Sequence, residues 1–327
     1  MKENVFVNYE AHQNIVNNNL RDRKKDYGMF FTPECVVDFM VGLIDFEQYK
    51  NKKDIAILEP ACGLAQFIFG IKRNQPDFFQ QAKIFGIEIN RDVIDYLDKL
   101  IIDGNIELIN ADYLLWQTET LFDLIIGNPP YGIPSLSDHY TIKVNNDTKQ
   151  KYKNLYETWF GKYNVYGAFI EKSIKLLKPD GRLIFVVPAT FMILDEFRKL
   201  RKFLSQNGKT SIIYLGSNAF KPEADVSSAV LDFHKSDKIA SYLELSEFRD
   251  NEICIIKSDS DWNGEVIKFK TNYTQALGNT CSYQLGDIYD IRVSPRTPEI
   301  KNSSYIEKEM PIQHVFQVLK KKLDTEE

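Results

Sequence analysis

The chain has 327 residues, of which 43% are hydrophobic and 27% charged, a composition typical of a globular protein. This balance excludes collagen-like, disordered and disulfide-framework proteins, and the length predicts about two domains. No apolar window is long enough for a membrane helix and the first residues lack a signal-peptide core, so we expect a cytoplasmic protein without a membrane partner. The four cysteines form no CxxC pair, and we therefore predict no metal site.

Charge is unevenly distributed along the chain. The net charge of −5 argues against a nucleic-acid partner, but residues 143–178 contain eight lysines and three acidic residues. Aromatic side chains are interleaved with these lysines: Tyr152, Tyr156, Trp159, Phe160, Tyr163 and Tyr166. Such a strip could contact phosphates and stack on bases. It could equally be a solvated helix surface whose rings face the core, and charge alone favours this second interpretation.

Short apolar runs alternate along the chain with segments of helical periodicity. Strands are predicted at 55–58, 84–87, 106–109, 122–126 and 183–187, and helices at 34–43, 91–102 and 166–177. Strands separated by helices are typical of crossover connections and a parallel sheet. Two further strands, 211–215 and 226–233, have no helix-length segment between them, which predicts an antiparallel pair closing the sheet edge. The predicted fold class is α/β, a doubly wound Rossmann-like sheet with an antiparallel last strand.

Three acidic residues stand at the ends of successive predicted strands. Glu59 ends the first strand, Glu88 ends the second, and Asp112 follows the third. In doubly wound sheets the carboxyl ends of the strands form the ligand crevice, where acids accept hydrogen bonds from ribose hydroxyls or an adenine amino group. The turn after the first strand reads Gly63-Leu64-Ala65 instead of GxGxxG, which argues against NAD or FAD.

The fourth strand ends in the most specific motif of the chain, Asn128-Pro129-Pro130-Tyr131. Consecutive prolines lack backbone donors and fix both φ angles, so the strand must stop in a rigid loop whose carbonyl groups stay free to accept hydrogen bonds. The asparagine amide adds an acceptor, and the tyrosine ring can lie against a planar π-system. This set fits a planar exocyclic amino group, although a strand-terminating turn with a packed tyrosine would share the same residues.

These motifs, in this order, resemble the gamma class of S-adenosylmethionine-dependent DNA adenine-N6 methyltransferases, in particular the TaqI type. The resemblance covers about residues 27–300. It implies S-adenosyl-L-methionine as the cofactor and double-stranded DNA as the substrate. Because restriction-modification systems contain such enzymes, a separate restriction endonuclease or recognition partner is also implied.

Site residues follow from this resemblance position by position. Asn128, Pro129, Pro130 and Tyr131 correspond to the catalytic tetrad, and Phe220 would pack at the edge of the flipped target base. Thr32, in the motif that begins at Gly28, would hold the methionine end of the cofactor. The complete implied cofactor site is Thr32, Glu59, Ala61, Cys62, Gly63, Glu88, Ile89, Asp112, Tyr113, Asn128, Pro130 and Phe169.

The implied domains are an N-terminal arm at 1–26, a catalytic domain at 27–233, and a partial or truncated target-recognition domain at 234–327. The last region contains strand-like pieces at 253–256 and 266–269 and a helix candidate at 315–323. TaqI-type enzymes carry a longer recognition domain, so we expect this chain alone to bind the cofactor but to methylate duplex DNA slowly and without a defined site.

Three other functions remain open at this stage. A protein glutamine methyltransferase would use the same Asn-Pro-Pro-Tyr loop on a side-chain amide, but it would carry a helical domain before the sheet. An RNA adenine methyltransferase shares the target chemistry. A non-catalytic DNA-binding subunit would not need the intact tetrad.

Overall fold

The computed structural model of the chain describes residues 32–135, 142–220, 226–236, 238, 240–249 and 251–269. Its strands are β1 (Ile55–Pro60), β2 (Ala82–Glu88), β3 (Ile106–Asn110), β4 (Phe122–Gly127), β5 (Pro134–Ser135), β6 (Ile142–Lys143), β7 (Leu177–Pro188), β8 (Gly208–Gly216), β9 (Ser228–Lys235), β10 (Tyr242–Arg249) and β11 (Glu252–Asp259). Its α-helices are α1 (Glu34–Gly42), α2 (Gln66–Asn74), α3 (Pro76–Gln81), α4 (Arg91–Leu100), α5 (Asn146–Leu155), α6 (Val165–Leu176) and α7 (Arg198–Asn207). Short 3-10 helices lie at Phe46–Tyr49, Ala189–Met192 and Asp195–Phe197.

A mixed sheet in the order β11-β10-β8-β9-β7-β4-β1-β2-β3 organises the described part of the chain. The run from β3 to β7 is parallel, as the alternation of strands and helices predicts. Strand β9 lies antiparallel between β7 and β8, so the predicted antiparallel pair is confirmed. Small strands β5 and β6 pair separately.

Helices cover both faces of the sheet because successive strand residues point to opposite sides. In β1, Ile55 and Ile57 belong to one apolar cluster, which includes residues of α1, α2 and α4. Ala56 and Leu58 belong to the other, which includes residues of α6 and α7. Burial on both faces explains why these strands read as continuous apolar runs in the sequence. The predicted doubly wound arrangement is therefore present.

The sheet continues beyond the predicted domain boundary after Phe233. Strand β10 pairs parallel to β8, and β11 pairs antiparallel to β10, so the β8/β9 pair does not close the sheet edge. Leu243 and Leu245 of β10 are buried in the same core as α6 and α7, and the compact unit extends to Phe269. The expected separate domain from residue 234 is wrong for this segment, because its apolar residues complete the existing core.

Other predictions for the C-terminal region have mixed outcomes. The strand-like piece at 253–256 lies within β11, whereas residues 266–269 form no strand. The helix candidate at 315–323, the arm at 1–26 and the motif residues Gly28–Phe31 lie outside the described residues. No helix in the described ranges is both long and apolar enough to cross a membrane.

Five of the six aromatic residues between the lysines of 143–178 are buried, and the sixth, Phe160, is half-buried with the Arg198 guanidinium over its ring. The buried residues are Tyr152, Tyr156, Trp159, Tyr163 and Tyr166. All of these rings except Tyr156 form a chain of ring contacts that includes Phe197. The interpretation of this strip as a surface for base stacking is wrong for these rings. Apolar burial outweighs any gain from exposing such large rings to solvent.

Candidate active site

A single cavity lies at the carboxyl ends of β1, β2, β3 and β4, where parallel α/β sheets bind their ligands. Every residue of the predicted cofactor site lines it: Thr32, Glu59, Ala61, Cys62, Gly63, Glu88, Ile89, Asp112, Tyr113, Asn128, Pro130 and Phe169. Residues that the sequence did not single out complete the wall, among them Gln66, Val144 and Tyr152. The topology of the sheet thus brings together motifs that are spread from residue 32 to residue 169.

The turn after β1 has an unusual backbone. Ala61 and Ala65 have φ angles of +83° and +57°, and Gly63 has +51°, all in the region that favours glycine. The N–H groups of Ala61 and Cys62 both donate to the carbonyl oxygen of Ile87, each at 2.8 Å. These bonds fasten the turn to β2 and offset the strain of two left-handed alanines, so the backbone passes close to the cavity.

Glu59 lies beneath this turn. Its carboxylate accepts hydrogen bonds from the N–H groups of Phe67 at 3.3 Å and Ile68 at 3.0 Å, in the first turn of α2. The side chain is buried, and burial raises its pKa to about 8 in spite of these two bonds. A buried carboxylate at a helix N-terminus that also lines the cavity is suited to a cationic group of a ligand.

Glu88 connects the loop that follows β1 to the loop that follows β2. One carboxylate oxygen accepts from Gly63 N–H at 3.0 Å, and the other accepts from Asn90 N–H at 2.8 Å. Burial raises the pKa of Glu88. Each carboxylate oxygen has a second lone-pair direction, so the geometry leaves Glu88 capable of accepting bonds from a pair of hydroxyls in the cavity.

Asp112 begins the loop after β3 and is fixed at both carboxylate oxygens. Leu114 N–H donates to Oδ1 at 2.9 Å, and the Tyr152 hydroxyl donates to Oδ2 at 2.6 Å. The adjacent Tyr113 ring packs against Phe169 at a centroid distance of 4.9 Å. A fixed carboxylate beside an aromatic and apolar wall matches the needs of a flat base that carries an amino group.

The side chain of Asn128 is oriented by the segment before α1. Its Nδ2 donates to the Thr32 hydroxyl oxygen at 3.0 Å, which turns the amide oxygen Oδ1 to the opposite side. Thr32 is held in turn by Gln66, whose side chain accepts from the Thr32 N–H and donates to the Thr32 carbonyl oxygen, both at 3.0 Å. The two hydrogen bonds with Gln66 therefore fix the position of Thr32, and Thr32 in turn fixes the orientation of the Asn128 amide.

Three other residues of the predicted catalytic set, Pro129, Tyr131 and Phe220, are less accessible than Asn128 and do not line the cavity. Pro129 and Tyr131 are buried, and the Tyr131 hydroxyl donates to the Val186 carbonyl oxygen at 3.0 Å while its ring meets Tyr166 edge to face. Phe220 is buried and belongs to the same apolar cluster as Ile213 and Val230. The structure brings neither Tyr131 nor Phe220 into the wall of the cavity, so their contact with a target base stays a prediction.

More than half of the chain, residues 50–220, matches the family described as Eco57I restriction-modification methylase. The chain belongs to this family. It is similar to the Type II methyltransferase M.TthHB8I of Thermus thermophilus, with 37% identity over 87% of this chain and 63% of that protein. It is also 32% identical to the Type II methyltransferase M.HincII of Haemophilus influenzae, over 64% of this chain and 37% of that protein. The chain spans less than two thirds of the length of these relatives.

Solved structures place this Eco57I-type chain in a known fold. A putative class I S-adenosylmethionine-dependent methyltransferase from Listeria monocytogenes has a TM-score of 0.55 and 21% identity to it, covering 73% of this chain and 71% of that chain. At this identity the likeness shows the fold alone. The fold class and the relationship to restriction-modification methyltransferases predicted from the sequence are both confirmed.

Among the cavity residues that the sequence does not predict, Gln66 and Tyr152 stand out because they orient other residues of the site. Gln66 lies in the first turn of α2, where nothing in the sequence distinguishes it from a solvent-facing glutamine. Tyr152 belongs to the aromatic run between lysines, for which the sequence suggests either a surface for nucleic acid or rings buried in the core, and neither interpretation predicts a residue of the cavity. The bond between Tyr152 and Asp112 joins residues 40 positions apart, and no local pattern announces such a contact.

Proposed function

We propose that the chain is an S-adenosylmethionine-dependent DNA methyltransferase that modifies the N6 amino group of a flipped-out adenine, as the modification half of a restriction-modification system. The observation that carries this proposal is the oriented amide of Asn128, next to two prolines, at the end of β4 and in the wall of a cavity lined by carboxylates. Membership of the Eco57I family supports it.

The residues of the cavity fit S-adenosylmethionine. Asp112 would accept from the adenine amino group, with Ile89 and Phe169 against the faces of the base. Glu88 would accept from the ribose hydroxyls, while Glu59 and Thr32 would hold the methionine end. When bound, the cofactor supplies an electrophilic methyl group on a positively charged sulfur.

The target amine needs help because its lone pair is delocalised into the adenine ring. The Asn128 Oδ1 atom and the Pro129 carbonyl oxygen would accept its two N–H bonds. These acceptors favour tetrahedral geometry at the nitrogen and aim its lone pair out of the ring plane. Thr32 keeps the Asn128 amide from turning its Nδ2 toward the target. Direct displacement requires no covalent enzyme intermediate, and the product loses its extra proton to water.

Access of the target requires that adenine leave the base stack, because a pocket at the sheet edge is beyond the reach of a base inside a duplex. The Tyr131 ring would then face the extruded base, and Phe220 would pack at its edge. Both rings have protein contacts in this structure, so this step includes a local rearrangement of one or both.

The decisive experiment is methyl transfer from labelled S-adenosylmethionine to duplex DNA, followed by nucleoside mass spectrometry. We expect N6-methyladenine from the wild-type chain. Asn128→Ala should abolish transfer while calorimetry shows cofactor affinity within a few-fold of wild type, since the lost acceptor serves the target amine. Asn51→Ala, which alters an exposed turn before the amino end of β1 and does not line the cavity, is the matched control and should methylate at the wild-type rate.

Other outcomes separate the alternatives. A methylated cytosine would contradict the adenine assignment. Methyl transfer to RNA or to a protein amide, but not to duplex DNA, would show that the substrate is RNA or protein and not DNA. Cofactor binding without transfer to DNA, RNA or protein would leave a non-catalytic subunit, and near-normal turnover of Asn128→Ala would remove Asn128 from its role.

A further inference from the structure

The loop that follows β3 is held by side chains from helices that come later in the chain. The Tyr156 hydroxyl donates to the Leu114 carbonyl oxygen at 2.5 Å. The Lys172 ammonium donates to the carbonyl oxygens of Tyr113 and Trp116, and it lies over the Tyr113 ring at 4.8 Å. This loop is therefore rigidly positioned before any ligand enters the cavity.

Tyr152 differs from these supports because it reaches the Asp112 carboxylate itself. Its hydroxyl donates to Oδ2 at 2.6 Å, while Leu114 N–H donates to Oδ1 at 2.9 Å. Two donors at two different oxygens fix the plane of the carboxylate, which a single donor would leave free to rotate about χ2. Tyr152 is 5% exposed and lines the cavity.

The hydroxyl of Tyr152 acts as a donor throughout the physiological pH range. Burial raises its pKa, and the neighbouring Asp112 raises it further. A tyrosine that keeps its proton beside a carboxylate has one favourable direction for that proton, toward the carboxylate oxygen. With one donor fixed at each of its oxygens, the Asp112 carboxylate has acceptor lone pairs left for a donor in the cavity.

We infer that Tyr152 is a positioning residue that sets the selectivity of the cavity for adenine as the base of the cofactor. The inference rests on the proposed function, in which Asp112 accepts a hydrogen bond from the exocyclic amino group. Hypoxanthine, the deaminated base, has a carbonyl oxygen at that position and would place acceptor against acceptor. This mismatch weakens binding most when the Asp112 carboxylate cannot rotate away from the carbonyl oxygen. Preorganised sites that recognise a hydrogen-bonding group of a substrate discriminate in the same way.

The test compares the affinities of S-adenosylhomocysteine and S-inosylhomocysteine by calorimetry on the full chain. For wild type we expect the adenosyl compound to bind at least about tenfold more tightly. Tyr152→Phe keeps the ring and should lower this ratio about fivefold, mainly by weakening the adenosyl compound. Asp112→Asn should lower it further. Thermal unfolding of each variant checks that it is folded.

Tyr156→Phe is the matched control. It removes the hydrogen bond that an equally buried tyrosine hydroxyl donates to the same loop, at the Leu114 carbonyl oxygen, but it does not remove a donor to the Asp112 carboxylate. It should keep the selectivity ratio within about twofold of wild type. An unchanged ratio in Tyr152→Phe, or an equal drop in Tyr156→Phe, would overturn the inference. Absence of binding of S-adenosylhomocysteine to the wild-type chain would instead overturn the proposed function.

Discussion

Glu59 is a residue of the cavity whose charged form is destabilised by burial. It is 2% exposed, and burial raises its pKa from 4.5 to about 8 although two backbone N–H groups stabilise the charged form. The folded chain therefore binds this proton more tightly than the unfolded chain does. Between these two pKa values, the free energy of unfolding falls as the pH rises, by up to about 1.4 kcal/mol per pH unit.

Glu59→Gln should remove this dependence. We expect the loss of stability from pH 5 to pH 8 to be smaller in the variant than in wild type by roughly 1 to 3 kcal/mol, after discounting for relaxation around the buried group. Urea denaturation across that range measures it. Glu119→Gln, at an exposed loop position, should follow the wild-type profile, and identical slopes for all three proteins would contradict the raised pKa.

The ring and the hydroxyl group of Tyr131 have different expected roles, which two substitutions can distinguish. Tyr131→Phe removes the donor to the Val186 carbonyl oxygen and should cost about 1 kcal/mol of stability while lowering turnover only mildly. Tyr131→Ala also removes the ring face that we expect to meet the target base, and should lower turnover strongly. Urea denaturation and labelled methyl transfer measure the two effects. Equal losses of turnover in both variants would assign the function to the hydroxyl.

The sequence predicts the cavity residues well because their motifs sit at strand ends, where local chemistry and topology coincide. Glu59 is the penultimate residue of β1, Glu88 is the last residue of β2, and Asp112 lies two positions after β3. The residues that orient them are harder to predict. Thr32 and Asn128 are 96 positions apart, and such a contact depends on how the helices dock, which no short pattern encodes.

At the scale of elements, α6 brings Phe169 to the cavity and depends on a close approach at its first turn. A Cβ atom added at Gly167 would lie 2.4 Å from the ring of Tyr163, whereas one added at Gly42 in α1 would have no atom within 4 Å. Gly167→Ala should therefore lose about 1 to 3 kcal/mol of stability through overpacking.

Gly42→Ala provides the comparison for this helix prediction. It should be neutral or gain up to about 1 kcal/mol, because alanine favours the helix and meets no steric obstacle. Thermal or urea denaturation of both variants measures the difference. If Gly167→Ala were as stable as Gly42→Ala, the contact between Gly167 and the Tyr163 ring would not be as tight as the structure describes.

The sequence predicts a strand and its place in the sheet more easily when all its residues are buried than when buried and exposed residues alternate. The buried parallel strands read directly as apolar runs, while Leu243 and Leu245 alternate with polar residues in β10. Alternation identifies a strand but not the sheet to which it belongs, so this hairpin was assigned to a separate domain. The aromatic strip of residues 143–178 stays ambiguous in the sequence for a related reason, since composition does not show which way a ring points.

For the whole molecule, a buried ion pair lies where the parallel and antiparallel parts of the sheet meet. Arg182 of β7 and Asp232 of β9 form two hydrogen bonds, Nε to Oδ1 at 2.8 Å and Nη2 to Oδ2 at 2.6 Å. Their side chains are 8% and 11% exposed. Because β7 and β9 are central strands of the sheet, loss of this pair should affect the unfolding of the entire unit.

Asp232→Ala should cost about 3 to 5 kcal/mol, because it leaves the Arg182 guanidinium buried without its bidentate partner. Asp195→Ala breaks the exposed pair with Arg198, which is 3.6 Å apart, and should cost less than about 1 kcal/mol. Urea denaturation compares the two. The double variant Arg182→Met/Asp232→Leu should recover most of the loss, since apolar side chains can replace both charges. If Asp232→Ala and Asp195→Ala were equally mild, water would have to reach Arg182, and the junction between β7 and β9 would be more open than this structure.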